Sequence, residues 1–495
     1  MILVGSTWLK EYFGLKQFEI THQSFIDRKE SIETNRNGTV EQVYGIKYKP
    51  STDAPLSQIE FLLKYDDINL DFLFAVFNNL DIEDVIRYIE ASPTGKYAKK
   101  IGFLYEFLTG KFLELSIKIS GNYVDLLDPK KCFTGKIIKN SRWLINNNML
   151  GDINYCPVVR RVKTIELLLQ KNIAKEIQAL KKEYTPEIFK RATNYLYTKE
   201  TRSSFEIEKE TPAPDRTERF VALLNKAGEI EIDKFFEEQN LVSLQNAIVD
   251  ERFAATHFRD FQNYIGQTMP GLHEMIHYIC PPPEIVKELM QGLKNTAIKT
   301  SEIPGEISAA ILAFGFVFIH PFEDGNGRLH RYLIHDILVR SKIVPEGLII
   351  PVSAHMLNNI KKYDDILEAY SKQLMKRVKY TKNDLYEIEI ANKAEVENMF
   401  RYPDLTNQCI YLLETLYETV ASDMPNELMF IQRYDEVKKA FQQIVDMPDK
   451  QLDLMIQFIY QNKGVFPKRR RSSFSKLIDE EIAKMEEEFN KIFEK

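Results

Sequence analysis

The run Ile307-Ser-Ala-Ala-Ile-Leu-Ala-Phe-Gly-Phe-Val-Phe-Ile319 constrains the fold more than any other stretch of the chain. It is apolar almost all the way round, whereas a surface helix has one apolar stripe and one polar face. A helix of this composition has to be enclosed on every side, so the sequence predicts a core helix surrounded by other elements. Pro321 interrupts it, because proline lacks an amide donor and clashes with the turn before it. His320 therefore falls where buried helix gives way to loop.

The loop carries the densest chemistry in the chain, His320-Pro-Phe-Glu-Asp-Gly-Asn-Gly-Arg-Leu-His-Arg331. Leu329, Tyr332, Leu333, His335, Ile337 and Leu338 set out a second helix opening near Gly327 or Arg328. Gly325-Asn326-Gly327 then lies just before a helix N-terminus, where free amide groups and the positive end of the dipole favour anions. Glycines let such a loop reach positive φ and approach a ligand closely. Arg328 and Arg331 sit one turn apart, able to fork onto the same phosphate chain. Two arginines at a helix start are electrostatically unfavourable unless an anion answers them, and that points to a bound polyphosphate. Asp324 is a hard oxygen ligand suited to Mg²⁺ shared with phosphate oxygens. His320, titrating near neutrality, suits proton removal from an attacking hydroxyl.

These residues resemble the Fic-family signature H-x-F-x-[DE]-G-N-G-R-x-x-R at every specified position: His320, Phe322, Asp324, Gly325, Asn326, Gly327, Arg328 and Arg331. The resemblance implies a protein adenylyltransferase, moving AMP from ATP to a Ser, Thr or Tyr hydroxyl of a protein, with ATP and Mg²⁺ as its small-molecule requirements. It makes His320 the general base, Asp324 the Mg²⁺ ligand and Phe322 the anchor of the loop in the core. Gly325, Asn326, Gly327 and Arg328 would hold the phosphates. Arg331 would place the γ-phosphate so that the α-phosphate lies in line for attack.

Two further segments fit the same resemblance. Residues 191–208 read as a helix ended by Pro212 and Pro214. Its last turns, Ser204-Phe-Glu-Ile-Glu208, resemble the inhibitory pattern [ST]-x-x-x-E-[GN] of autoinhibited Fic proteins, with Lys209 standing where Gly or Asn is expected. The resemblance implies that Glu208 pairs with Arg331 and blocks productive ATP binding, with Ser204 in the same inhibitory motif. Alternating apolar residues on either side of a turn at 266–271 suggest a β-hairpin within 259–280. It looks like the Fic flap, which clamps a target peptide as an added edge strand, and Tyr264, Ile265 and Gly266 are its candidate peptide and nucleotide contacts. Farther on, Asn358 and Tyr363 are candidates to touch adenine, although core packing suits Tyr363 better.

A net charge of −6 leaves no basic footprint for nucleic acid or an anionic membrane. The exception, Lys468-Arg-Arg-Arg471, reads as a solvated turn or docking surface. Four scattered cysteines with no C-x-x-C pair fit reduced thiols in the cytoplasm. No basic leader and no uninterrupted membrane-length apolar run stand out.

The expected fold is mainly α: a helical Fic fold with a small β-hairpin flap, flanked by an N-terminal α+β extension and a C-terminal helical one. The expected divisions are 1–189, a Fic domain at 190–385 with its inhibitory helix at 191–209, and 386–495, an interaction or winged-helix-like region. Helices are expected over 163–182, within 55–77 and 82–89, at 104–115, and at 409–424, 428–444, 451–461 and 477–493. The expected partners are ATP and a target protein on the flap, not nucleic acid or membrane, with a homodimer left open. Removal of AMP, or transfer of another phosphate-containing group, uses the same inventory. In a different class, the C-terminal region could act as a regulatory, DNA-associated binding module.

Overall fold

The computed structural model describes residues 1–34, 39–269, 273–383 and 387–493, and helices make up most of it. The core helix runs from Gly305 to Ile319, and all of its residues except Glu306 are buried. Its neighbours are the helices Pro283–Lys299, Asn326–Arg340 and Thr406–Glu418. The enclosure predicted from its composition is thus supplied from three sides by helices. The continuous apolar core around it reaches from Phe133 to Leu428, past both 189 and 385.

Two smaller cores flank it. One is N-terminal, built on Leu9 to Val158 with Tyr402, and lies beside a four-stranded sheet. In that sheet His22–Ile26 and Val40–Tyr44 run parallel at the centre, with Ile2–Val4 and Ser31–Thr34 at the edges. The other is C-terminal, from Val437 to Ile492, and all helical apart from its loops.

Several helices differ from the sequence expectation. The stretch 163–182 is two helices, Lys163–Gln170 and Ile173–Glu183, divided where Asn172 adopts a left-handed φ of +51° and caps the second with its side chain. The stretch 55–77 divides into Pro55–Tyr65 and Leu70–Asn78, the second capped by Asn69. The aromatic helix expected at 104–115 is Lys96–Thr109, ended by left-handed Gly110. Each break falls at an Asn or Gly able to take positive φ or to cap a helix, which apolar periodicity does not register.

The helix expected at 191–208 is longer, Pro186–Ile207, because Thr185 caps it and Pro186 occupies the first turn. It ends in a Schellman motif. The Lys209 amide donates to Glu206 O at 2.9 Å and the Glu210 amide to Phe205 O at 3.1 Å, with Lys209 at φ +59°. The helix thus stops at its own cap, ahead of Pro212.

The hairpin is present as Tyr264–Met269 paired antiparallel with His273–Ile279, with a register shift at Ile265/Gly266. Of its expected turn, residues 270–271 lie outside the described residues. No helix among the described residues is long and apolar enough to cross a membrane.

Candidate active site

The signature loop bridges the end of the core helix and the start of the helix Asn326–Arg340, which opens one or two residues earlier than the expected Gly327 or Arg328. His320 occupies the C-cap in a left-handed conformation, φ +54° and ψ +60°. That backbone costs a non-glycine residue about 1 kcal/mol or more, so other contacts have to hold it. The His320 amide donates to Phe316 O at 2.9 Å. Its Nδ1 lies 3.2 Å from the Val317 carbonyl. A carbonyl only accepts, so Nδ1 carries the proton and Nε2 is left as the basic nitrogen. Burial, reinforced by the Arg259 cation, lowers the His320 pKa to about 4, so the ring is neutral at physiological pH and able to accept a proton.

Phe322 anchors the loop. It is 1% exposed, with its ring against Phe258 and Phe316. Asn326 staples the loop to that anchor: its Oδ1 accepts from the Phe322 amide at 3.0 Å and its Nδ2 donates to the Phe322 carbonyl at 2.9 Å. The side chain of Asn326 therefore shapes the loop, and what it can offer a phosphate is its backbone amide. Gly325 sits at φ +87°, with Val249 close to where a Cβ would project. No side chain caps the following helix, so its first amide donors are left for an anion.

Both arginines are buried, and both are answered by carboxylates of the protein itself. Arg331 donates from Nη2 to Glu208 Oε1 at 2.8 Å and to the Ser204 carbonyl at 2.6 Å, and from Nε to Ser204 Oγ at 2.8 Å. Arg328 donates to Glu210 Oε2 at 3.0 Å and to Asp324 Oδ1 at 2.6 Å. The Glu208 carboxylate lies on Gly327: a Cβ there would meet Oε1 at 2.1 Å. The anion that the sequence lacked near these arginines is thus supplied by residues 208–210 and by Asp324.

Asp324 accepts from Arg328 and from the Gly325 amide through the same oxygen, Oδ1, and its side chain is 36% exposed. No cluster of three or more His, Cys, Asp or Glu that could hold a metal occurs among the described residues. A single hard carboxylate beside an anion-binding helix end fits Mg²⁺ that takes its remaining ligands from phosphates and water.

Four residues that sequence reasoning passed over, or gave another role, complete the site. Glu210 binds Arg328 and also Arg216. Gln245 is buried and donates to the Asp324 carbonyl at 3.1 Å and to Phe253 O at 2.9 Å. The Tyr363 hydroxyl stands 3.5 Å from Arg331 Nη1, in the core as expected. Arg259, read only as the start of the hairpin, donates to the carbonyl of His320. A buried Gln or Arg distant in sequence has no local pattern to betray it. On the flap, Tyr264 points its hydroxyl at Glu274 of the facing strand, 3.1 Å from both carboxylate oxygens, while Ile265 is 41% exposed. Asn358 ends its helix, and among the described residues no side-chain hydrogen bond joins it to the loop.

Residues 235–338 match the family model described as the Fic/DOC family. The chain carries a Fic domain. The protein adenylyltransferase Fic of Drosophila yakuba is 25% identical over 215 residues, covering 42% of this chain and 35% of that protein. The protein adenylyltransferase fic-1 of Caenorhabditis elegans is 35% identical over 132 residues, covering 26% of this chain and 23% of that protein. The chain therefore spans about a third or less of the curated relatives it matches. A Fic family protein of Desulfovibrio desulfuricans superposes with a TM-score of 0.38 at 17% identity, covering 63% of this chain and 87% of its own. A Fic domain containing signaling protein of Bacteroides thetaiotaomicron gives 0.37 at 17%, covering 54% and 97%. Around the Fic domain, the helix Pro186–Ile207 and its cap bring Ser204, Glu208 and Glu210 onto the signature.

Proposed function

We propose that the protein transfers AMP from ATP to a Ser, Thr or Tyr hydroxyl of a protein, and that Glu208 restrains this activity. The observation that carries the reading is the position of the Glu208 carboxylate. It rests on Gly327 and pairs with Arg331, where a helix N-terminus and a buried guanidinium together favour an anion.

In the working state, Glu208 leaves and the triphosphate takes its place. Arg331 and Arg328 bind the outer phosphates, the amides following Gly325 face them, and the α-phosphorus is presented toward His320. The target hydroxyl oxygen attacks that phosphorus, its proton passes to His320 Nε2, and the bond from α-phosphorus to the bridging oxygen breaks. Pyrophosphate departs with the bonding pair. Bound at Asp324, Mg²⁺ would offset charge on the leaving phosphates. Such transfers depend chiefly on positioning and charge neutralisation, which is what these residues provide. The flap strand Tyr264–Met269 offers its edge to an extended target segment.

The test is incubation of the Glu208→Gly chain with ATP labelled at the α- or the γ-phosphate, with Mg²⁺ and lysate proteins. Label from the α position alone is expected on protein, and none with His320→Ala added. Transfer of γ label instead would assign a different group to the site, and transfer of neither would refute the reading.

A further inference from the structure

Arg259 is the residue that joins the flap to the base. It is 4% exposed, and its guanidinium reaches three separate pieces of chain. Nε donates to the His320 carbonyl at 2.7 Å, and Nη2 to the Ile319 carbonyl at 3.4 Å. Nη1 donates to Phe261 O at 2.8 Å on the loop entering the flap, and Nη2 also to Pro281 O at 2.8 Å where the chain leaves it. Its own amide donates to Pro321 O at 2.8 Å. Among the described residues no carboxylate forms an ion pair with it.

A buried cation without a carboxylate is costly, so what it touches has to compensate. Two of its acceptors, Ile319 O and His320 O, are at the C-terminal end of the core helix, where carbonyls lack intrahelical partners and the dipole is negative. The other two fix both feet of the flap. The planar fork of a guanidinium can satisfy all four at once, which a lysine ammonium on its flexible stem cannot. The carbonyl it grips belongs to the residue held at φ +54°, so the same bond helps to hold the strained backbone from which the His320 ring projects.

We propose that Arg259 is a positioning residue for AMP transfer: by clamping both feet of the flap to the His320 carbonyl, it sets the base in register with a hydroxyl presented on the flap. This rests on the transfer reading above. The Arg259 guanidinium bonds only backbone carbonyls, whereas Arg328 and Arg331 bond carboxylates at the anion-binding helix end. A second, weaker tie runs the same way. Asn263 Nδ2 donates to Phe322 O at 3.3 Å, and the Cys280 amide donates to Asn263 O at 3.1 Å.

The experiment compares Arg259→Lys, Arg259→Gln and Asn263→Ala in the full-length Glu208→Gly chain. It reads Mg·ATP affinity by calorimetry, the rate of self-modification or lysate labelling, and the ring-nitrogen NMR signals of His320. Arg259→Lys and Arg259→Gln are expected to lower the transfer rate at saturating ATP at least about 30-fold while leaving ATP affinity within about twofold, a split that lost folding cannot produce. The Nδ1-protonated His320 signal of the parent is expected to give way to a tautomer mixture. Asn263→Ala, a half-exposed position, should move rate and signal the same way by a smaller factor. Loss of ATP affinity in proportion to rate, or transfer by Arg259→Lys within about threefold of the parent, would overturn the proposal. So would an unchanged His320 spectrum, which is readable without any activity. A parent that folds, binds ATP and transfers nothing speaks against the transfer reading alone.

Discussion

Arg331 is where two demands on one side chain collide. Fully buried, it is satisfied by Ser204 and Glu208, and in the proposed reaction the same guanidinium is needed by the triphosphate. Removing Arg331 takes the donor from the partly exposed Glu208 carboxylate and from the buried Ser204 groups, so Arg331→Ala is expected to destabilise the fold by about 1–3 kcal/mol as well as to abolish transfer. Melting measured alongside labelling checks both. Removing Glu208 instead keeps the Ser204 bonds but leaves a fully buried cation without a carboxylate, so Glu208→Gly is also expected to lose stability, and ATP, by answering that cation, to restore it in the same melts. His320 gives a pH prediction. Burial first, and the Arg259 cation second, lower its pKa to about 4 from the ordinary 6.5. With the folded value depressed, the unfolded chain binds the extra proton between these limits. The contribution to stability is therefore complete above pH 6.5 and lost as pH falls toward 4. Activity follows the same sign, because the base must be neutral. The acid limb of kcat/KM for Glu208→Gly should lie well below pH 6.5. A limb at 6.5 or above would mean that the histidine is not held as described.

At the scale of elements, the proposed brake is a helix end, and its weak point is a backbone conformation. Lys209 occupies the left-handed position of the Schellman motif, φ +59°. This gives a physical reason for Gly or Asn at that place, since both tolerate it better than lysine. Lys209→Gly should therefore stabilise the cap by about 0.5–1 kcal/mol and lower basal AMP transfer by up to about fivefold, measured as self-labelling of the otherwise unaltered chain. Higher basal transfer would show that Lys209 contributes by its charge instead. The same helix shows what the sequence made legible. Its pattern put Ser204 in the last turns and Glu208 at the end, where the structure has Ser204 in the helix and Glu208 as its C-cap, because a helix end has local rules. Its start at Thr185-Pro186 follows equally local rules, five residues ahead of the expected one. The breaks at Asn172 and Asn69 interrupt continuous apolar periodicity and were read through. Glu210, Gln245 and Arg259 act on residues far away in sequence, and only folding brings them to the loop.

Across the whole molecule, the helix Pro186–Ile207 is held from both sides. On one side lie the helices Asn326–Arg340 and Val352–Asn358, where the Glu200 carboxylate bonds His335 at 2.7 Å and accepts from the Ser353 amide at 2.8 Å. On the other lies the helix Met424–Ile444, through the ion pairs Lys199–Glu427 and Arg191–Asp435. That helix continues into the separate C-terminal core, giving a physical route by which the last part of the chain could bear on the brake. Partly exposed ion pairs contribute only about 0–1 kcal/mol each, so Glu427→Lys should raise basal transfer by no more than about fivefold. A much larger rise would place more of the restraint in the C-terminal core than these contacts explain. The basic run at 468–471 is partly structural, since Arg471 is bound to Asp479 and to the carbonyls of Phe474 and Leu477. The most direct test of the account is the ratio of α-labelled AMP transfer by Glu208→Gly to that by the unaltered chain, at one ATP concentration. If Glu208 competes with the triphosphate for Arg331 at a cost of about 1.4 kcal/mol or more, the ratio is at least about tenfold. A ratio of one or less would contradict it.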